Sequence, residues 1–198
     1  MKNIRQLREL MQNNSLSSLV VVPGPNMSYL TGSKFHLSER PVVLVIEQNK
    51  CTFILPELES AKISSLDVDY ITYNDKEGPV KAFNKFAKNN NFSTIGIESR
   101  TIRHLELDLL QTTGITTNFV DAIDIFAQLR MSKSEEEKEF MIKAVEIAQK
   151  SLESILHKIK PGITEKQFAS DLVIELLRNG SESELPFSPI VASGVNAA

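Results

Sequence analysis

Apolar residues recur along this chain with two different periods, and the switch between them divides it. Ile4, Leu7, Leu10 and Met11 fall three and four residues apart, so residues 2–13 are read as an amphipathic helix stopped by Asn13 and Asn14. Residues 19–22 form a short apolar run closed by Pro23, Gly24 and Pro25, which predicts a buried strand. A short turn or helix over 27–30 ends at Gly32. Residues 41–46 and 51–55 predict two strands joined by a connection of hairpin length. A helix over 57–63 and a strand over 68–72 come next. Val80, Phe83, Phe86 and Ala87 mark one face of a helix over 80–88. Residues 94–97 predict a strand, Ile102, Leu105, Leu109 and Leu110 a helix ended by Gly114, and residues 115–119 a further strand. Strands and helices of this size in alternation argue an α/β domain over residues 1 to about 125.

The pattern then becomes helical. Residues 121–129 predict a short helix, and 131–134 a link. Ser134 and Glu137 have capping-box spacing, and a long apolar face from Phe140 to Ile159 follows until Pro161 and Gly162 break it. Thr164 and Gln167 form a second box, Phe168, Leu172, Leu176 and Leu177 a second face, and Asn179 with Gly180 the stop. Residues 188–193 read as an apolar strand opening into a glycine loop. Two helices this amphipathic, with one strand start, predict a second domain that is incomplete within this sequence.

Composition narrows the classes. Hydrophobic content of 41%, charged content of 24% and a net charge of −3 fit a soluble globular protein, and no basic tract supports nucleic-acid binding. The apolar run at 16–22 is too short to span a bilayer, and the first residues do not form a secretory signal. Cys51 has no second cysteine to pair with, which fits a reducing cytoplasm, and its setting reads as a strand position rather than a nucleophile.

Six stretches, taken in order, carry a resemblance. Asn26-Met-Ser-Tyr-Leu-Thr-Gly32, Glu39-Arg-Pro-Val-Val-Leu-Val-Ile46 with Pro56-Glu-Leu-Glu59, and Ile95-Gly-Ile-Glu98 lie in the first part. Leu129-Arg-Met-Ser-Lys-Ser-Glu-Glu-Glu137, Lys160-Pro-Gly-Ile-Thr-Glu165 and Ile190-Val-Ala-Ser-Gly-Val-Asn196 lie in the second. Together they resemble the metallopeptidase family that holds Xaa-Pro dipeptidase (prolidase), aminopeptidase P and creatinase. The resemblance implies an α/β fold with a mixed-sheet, creatinase/prolidase-type N-terminal domain over residues 1–127. It implies the beginning of an α+β "pita-bread" catalytic domain over 128–198.

In that family two Asp, one His and two Glu hold a pair of divalent metals, manganese or cobalt, and all of them fall after Asn196. The expectation is therefore a cytoplasmic, homodimeric parent that hydrolyses Xaa-Pro bonds in peptides. This chain would bind no metal cofactor itself and contribute no catalytic residue. A creatinase-like hydrolase and a non-catalytic, protein-binding relative are the alternatives. The resemblance also implies that the loop carrying His36 and Arg40 approaches a partner subunit's active site, which makes both candidates for substrate binding. Tyr29 is expected to pack on the strand ending at Val22, and His157 to interact with a helix C-terminus. Glu135, Glu136 and Glu137 are expected to favour a helix N-terminus. His104 and Asp108, at i, i+4, are two ligands where a metal needs more.

Overall fold

Three apolar runs form the middle of a sheet: β1 (Ser18–Val21), β2 (Val43–Glu47) and β3 (Cys51–Pro56), neighbours in antiparallel register. The computed structural model describes residues 1–116 and 118–197. Three further strands extend the sheet in parallel: β4 (Asp69–Tyr73) beside β3, β5 (Ile95–Ile97) beside β1, and β6 (Phe119–Asp121) beside β5. The order β4-β3-β2-β1-β5-β6 makes a mixed sheet.

The central strands are apolar at all positions but Ser18, Glu47 and Thr52 because both faces are covered. Leu19 and Val21, Leu44 and Ile46, and Phe53 and Leu55 point to one face. There they meet α1 (Ile4–Asn13), α2 (Pro25–Thr31) and α5 (Ile123–Met131) through Leu7, Met11, Met27, Leu30, Phe126 and Leu129. Val20, Val43, Val45 and Ile54 point to the other. They meet α3 (Val80–Ala87) and α4 (His104–Thr112) through Phe83, Phe86, Leu109 and Leu110. The result is a three-layer α/β/α unit with a core on each side of the sheet. Gly96 sits where β5 crosses the first core. A Cβ there would stand 2.6 Å from Leu16 Cδ1 and 2.8 Å from Leu19 Cδ1, so the packing requires glycine.

The chain divides into two compact units, Met1–Ser132 and Lys133–Ala198. The second is a helical hairpin of α6 (Glu135–Ile155) and α7 (Glu165–Arg178). Both predicted capping boxes form: Ser134 Oγ accepts the Glu137 N–H at 3.2 Å, and Thr164 Oγ1 accepts the Gln167 N–H at 3.2 Å. Ile155, Phe168 and Ser151 are buried. Ser151 donates to the Ile147 carbonyl at 2.7 Å and accepts from Asn179 Nδ2 at 3.1 Å, which ties the crossing.

Several expectations need correction. The helix expected over 57–63 forms at those residues, with 3-10 geometry. The last strand of the sheet is β6 at 119–121 rather than 115–119; Ile115 instead accepts the Phe92 N–H at 3.0 Å, and Thr117 lies outside the described residues. Asp121 therefore ends a strand, and the helix expected from 121 starts at Ile123, whose N–H bonds to Asp121 Oδ1 at 3.1 Å. Val80 and Leu105, read as part of the apolar helical pattern, are 55% and 38% exposed. α6 passes into a 3-10 turn at Leu156–Lys158 before Pro161, so His157 lies in that turn and not in the α-helix itself. Residues 188–193 form no strand, since a strand needs a ladder partner for its backbone groups.

Candidate functional site

The 33–41 loop connects α2 to β2 and carries both predicted site residues. Gly32, at φ +72°, ends α2 in the left-handed conformation that a glycine adopts without strain. Beyond it the loop is anchored at several points. Ser33 Oγ donates to the Lys62 carbonyl at 2.7 Å. Phe35 is buried against Phe53, with ring centroids 5.7 Å apart. Ser38 Oγ accepts the Arg40 N–H at 3.1 Å, and the Ser38 carbonyl accepts Arg103 Nη1 at 2.7 Å. The buried Tyr73 hydroxyl donates to the Pro41 carbonyl at 2.7 Å, and burial pushes that phenol well above its ordinary range. Between these anchors His36 and Leu37 are exposed, Leu37 by 47%.

Arg40 is engaged. Its Nε and Nη2 form a bidentate pair with Asp75 at 2.7 and 2.8 Å, and its Nη1 meets Glu39. The hydrogen bond from Arg40 holds the Asp75 carboxyl below the usual carboxylate range, and Asp75 in turn raises Arg40. The structure thus places His36 and Arg40 on one loop, with His36 at the exposed tip and Arg40 at the base.

Two carboxylates escaped sequence reasoning. Glu106 is fully buried at the first turn of α4 and accepts from Arg103 N–H at 3.0 Å, from its Nε at 3.0 Å and from Nη2. The i, i+3 charge pair was the available signal. Glu98, 4% exposed, follows β5. Its Oε2 accepts the Val22 N–H at 3.0 Å and its Oε1 accepts Asn26 Nδ2 at 2.7 Å, while Asn26 Oδ1 accepts Arg130 Nη1 at 2.7 Å. The Arg130 guanidinium stands 5.4 Å from the Tyr29 ring centre, and Asn3 Nδ2 donates to the Tyr29 hydroxyl at 2.6 Å. Burial raises the Glu98 carboxyl; the Val22 and Asn26 bonds and the Arg130 charge oppose it. Asn26, Glu98 and Arg130 come from three of the six stretches singled out in the sequence. In the second unit, Glu165 joins two more: it accepts the Ser193 N–H at 2.7 Å and Asn196 Nδ2 at 3.1 Å.

The remaining candidates stay apart. Cys51 is buried on β3 with its thiol pushed up by desolvation, against the opposing charge of Arg8, whose Nη2 lies 3.6 Å from Sγ. That is a packed strand residue, not an activated nucleophile. His104 and Asp108 are exposed on α4. Among the described residues no three or more His, Cys, Asp or Glu side chains converge as a metal site would require. No helix among the described residues is long and apolar enough to cross a membrane.

A mixed sheet between two helical layers, followed by a helical hairpin, defines the class of architecture. Residues 3–132 match the Creatinase/Prolidase N-terminal domain, and residues 139–198 match metallopeptidase family M24. The chain belongs to the creatinase/prolidase N-terminal domain family. It is 24% identical over 204 residues to an Xaa-Pro dipeptidase of Pyrococcus horikoshii, a match covering 100% of this chain and 53% of the relative. The fold is that of a Thermococcus sibiricus prolidase, with a TM-score of 0.88 at 22% identity over 98% of this chain and 54% of the other. It is also that of a Creatine_N superfamily domain of a Streptococcus thermophilus dipeptidase, with a TM-score of 0.60 at 23% identity over 66% of this chain and 99% of the other. The chain spans about half the length of the curated relatives it matches.

Proposed function

We propose that the chain is the leading part of a proline-specific metallopeptidase that hydrolyses the bond before proline in dipeptides or at peptide N-termini. The end-to-end likeness to an Xaa-Pro dipeptidase carries this reading, supported by six stretches in family order. Residues 1–127 would be its N-terminal domain and 128–198 the start of its catalytic domain. Proline makes the scissile bond a tertiary amide without an N–H donor, so the site must be shaped for that bond. Two divalent ions, manganese or cobalt, would polarise the carbonyl and supply hydroxide when bound. Their ligands lie outside the residues described above. The parent is cytoplasmic and homodimeric in this reading, and the 33–41 loop borders a partner subunit's active site. There His36 meets one end of the substrate, while Arg40 lines the mouth from its pair with Asp75.

An antibody raised to this chain would recover the intact protein from its source cells for assay with manganese. Hydrolysis of an Xaa-Pro dipeptide supports the proposal. Hydrolysis of creatine instead, or binding of a protein without either activity, overturns it. The 198-residue polypeptide alone should hydrolyse neither substrate and show no stoichiometric manganese binding by calorimetry; tight binding would place the metal ligands within it.

A further inference from the structure

Arg103 does more than start α4. The residue before a helix is ordinarily Ser, Thr, Asp or Asn, whose side chain accepts a free N–H of the first turn. An arginine side chain has no acceptor and cannot do this. Glu106 caps the helix alone, through the Arg103 backbone N–H at 3.0 Å. The Arg103 guanidinium is thus surplus to the cap, yet it is held with unusual care. Its Nε and Nη2 are both bound by Glu106, a carboxylate with 0% exposure. Burying a carboxylate is costly unless it is fully paired. Here the main partner is a single residue three positions away.

With its fork fixed at one end, Arg103 has Nη1 left. That nitrogen donates to the Ser38 carbonyl at 2.7 Å, across 65 positions of sequence. Ser38 follows the exposed pair His36 and Leu37 directly and is itself bonded to the Arg40 N–H. The other anchors on this side of the loop, Arg40 to Asp75 and Tyr73 to Pro41, act further along the chain. Arg103 is therefore the tie immediately after the tip.

We propose that Arg103, locked by the buried Glu106, is a positioning residue that sets where His36 stands, and so governs substrate binding at the 33–41 loop. This rests on the substrate-contacting role given to that loop above. Lysine keeps the charge but loses the fork, so Arg103→Lys cannot hold Glu106 and Ser38 in the same geometry.

Two measurements test it and separate its failure from that of the functional reading. In the intact protein with an Xaa-Pro dipeptide, His36→Ala and Arg103→Lys should each raise KM on the order of tenfold, with the loss falling on KM rather than kcat. A residue that acts through His36 adds little once His36 is gone, so the double variant should match His36→Ala within about twofold. Multiplying effects, or an unchanged KM for Arg103→Lys, overturn the proposal. In the 198-residue chain, Arg103→Lys and Glu106→Gln should each speed hydrogen exchange at the Arg40 amide, which is bonded to Ser38 Oγ, by about tenfold or more, with β1 and β5 amides unchanged. Unchanged exchange at the loop overturns the positioning claim by itself. If Glu106→Gln loses β1 and β5 protection it has lost the fold, and Arg103→Lys decides. An intact protein with no Xaa-Pro hydrolysis sinks the functional reading and the substrate-binding half of the proposal; the exchange result then decides the positioning half.

Discussion

Replacing Glu98 by glutamine changes one oxygen to an NH2 group and leaves the shape alone. The carboxylate accepts two donors with two different oxygens, the Val22 N–H at 3.0 Å and Asn26 Nδ2 at 2.7 Å. Glutamine has one acceptor, so one buried donor must face another donor. A hydrogen bond to a charged group contributes about 1.5–3 kcal/mol, and an unsatisfied buried donor costs about 1–3 kcal/mol. Against this, glutamine removes a charge that burial disfavours, as the raised Glu98 carboxyl shows, at about 1.4 kcal/mol per pKa unit. The loss outweighs the relief, and Glu98→Gln should destabilise the first unit by about 1–2 kcal/mol at pH 7. Acid should widen this gap. A carboxyl raised in the folded state binds more protons folded than unfolded, so its contribution to stability is fullest below the unfolded value and is lost as pH rises through the folded one. Wild type should therefore gain on the glutamine variant as pH falls from 7 to the ordinary carboxyl value of 4.5. Chemical denaturation at both pH values, with exchange protection of the β1 and β5 amides as the probe, measures the two gaps. A variant as stable as wild type, or a gap that narrows on acidification, refutes the reasoning.

Gly96→Ala should cost about 1–3 kcal/mol, because its Cβ would press on Leu16, Leu19 and Ala122 inside a filled core; the same denaturation measurement checks it. In this polypeptide α6 and α7 should exchange amide hydrogens faster than the six-stranded sheet, since Phe140, Met141 and Ile159 are more than half exposed and leave apolar burial unrealised. Equal protection throughout a monomer would contradict this. Glu165→Ala should release the Ser193 amide and raise its exchange rate about tenfold while α7 keeps its protection, and Glu165→Gln should restore part of the effect.

The elements of the first unit were legible because their periods differ and their breakers are explicit. The apolar runs of β1 to β3, the hairpin between β2 and β3, and the glycine after α2 all follow from local chemistry. The order of the sheet did not follow, because pairing β1 with β5 joins segments more than 70 residues apart and nothing local specifies it. Leu105 and Val80 show a related gap: periodicity groups residues on a face, but which of them the neighbouring layer covers is set by tertiary packing. The strand expected at 188–193 failed because a strand is defined by its neighbour. At the site, His36 was visible as a histidine in a loop. Glu106 and Glu98 were not, since acidic residues are presumed solvated until a structure buries them.

The three carboxylates share a logic. An ionised carboxylate offers two oxygens and no donor, so it can bind N–H groups from separate segments at once. Glu98 ties the end of β1 to Asn26, and Asn26 carries the tie to Arg130 on α5, near the end of the first unit. Glu106 ties α4 to the 33–41 loop through Arg103, and Glu165 ties α7 to the turn at 193–196. Each bond joins segments that hydrophobic packing alone would leave free to slide, because apolar contact is non-directional and tolerates small displacements. Hydrogen bonds to a charged carboxylate are directional and tolerate them less. Packing therefore builds the two layers over the sheet, while these carboxylates fix where particular loops leave it. A substitution at one end of such a tie should act at the other, so the effects of Asn26→Ala and Glu98→Gln should fall well short of additive.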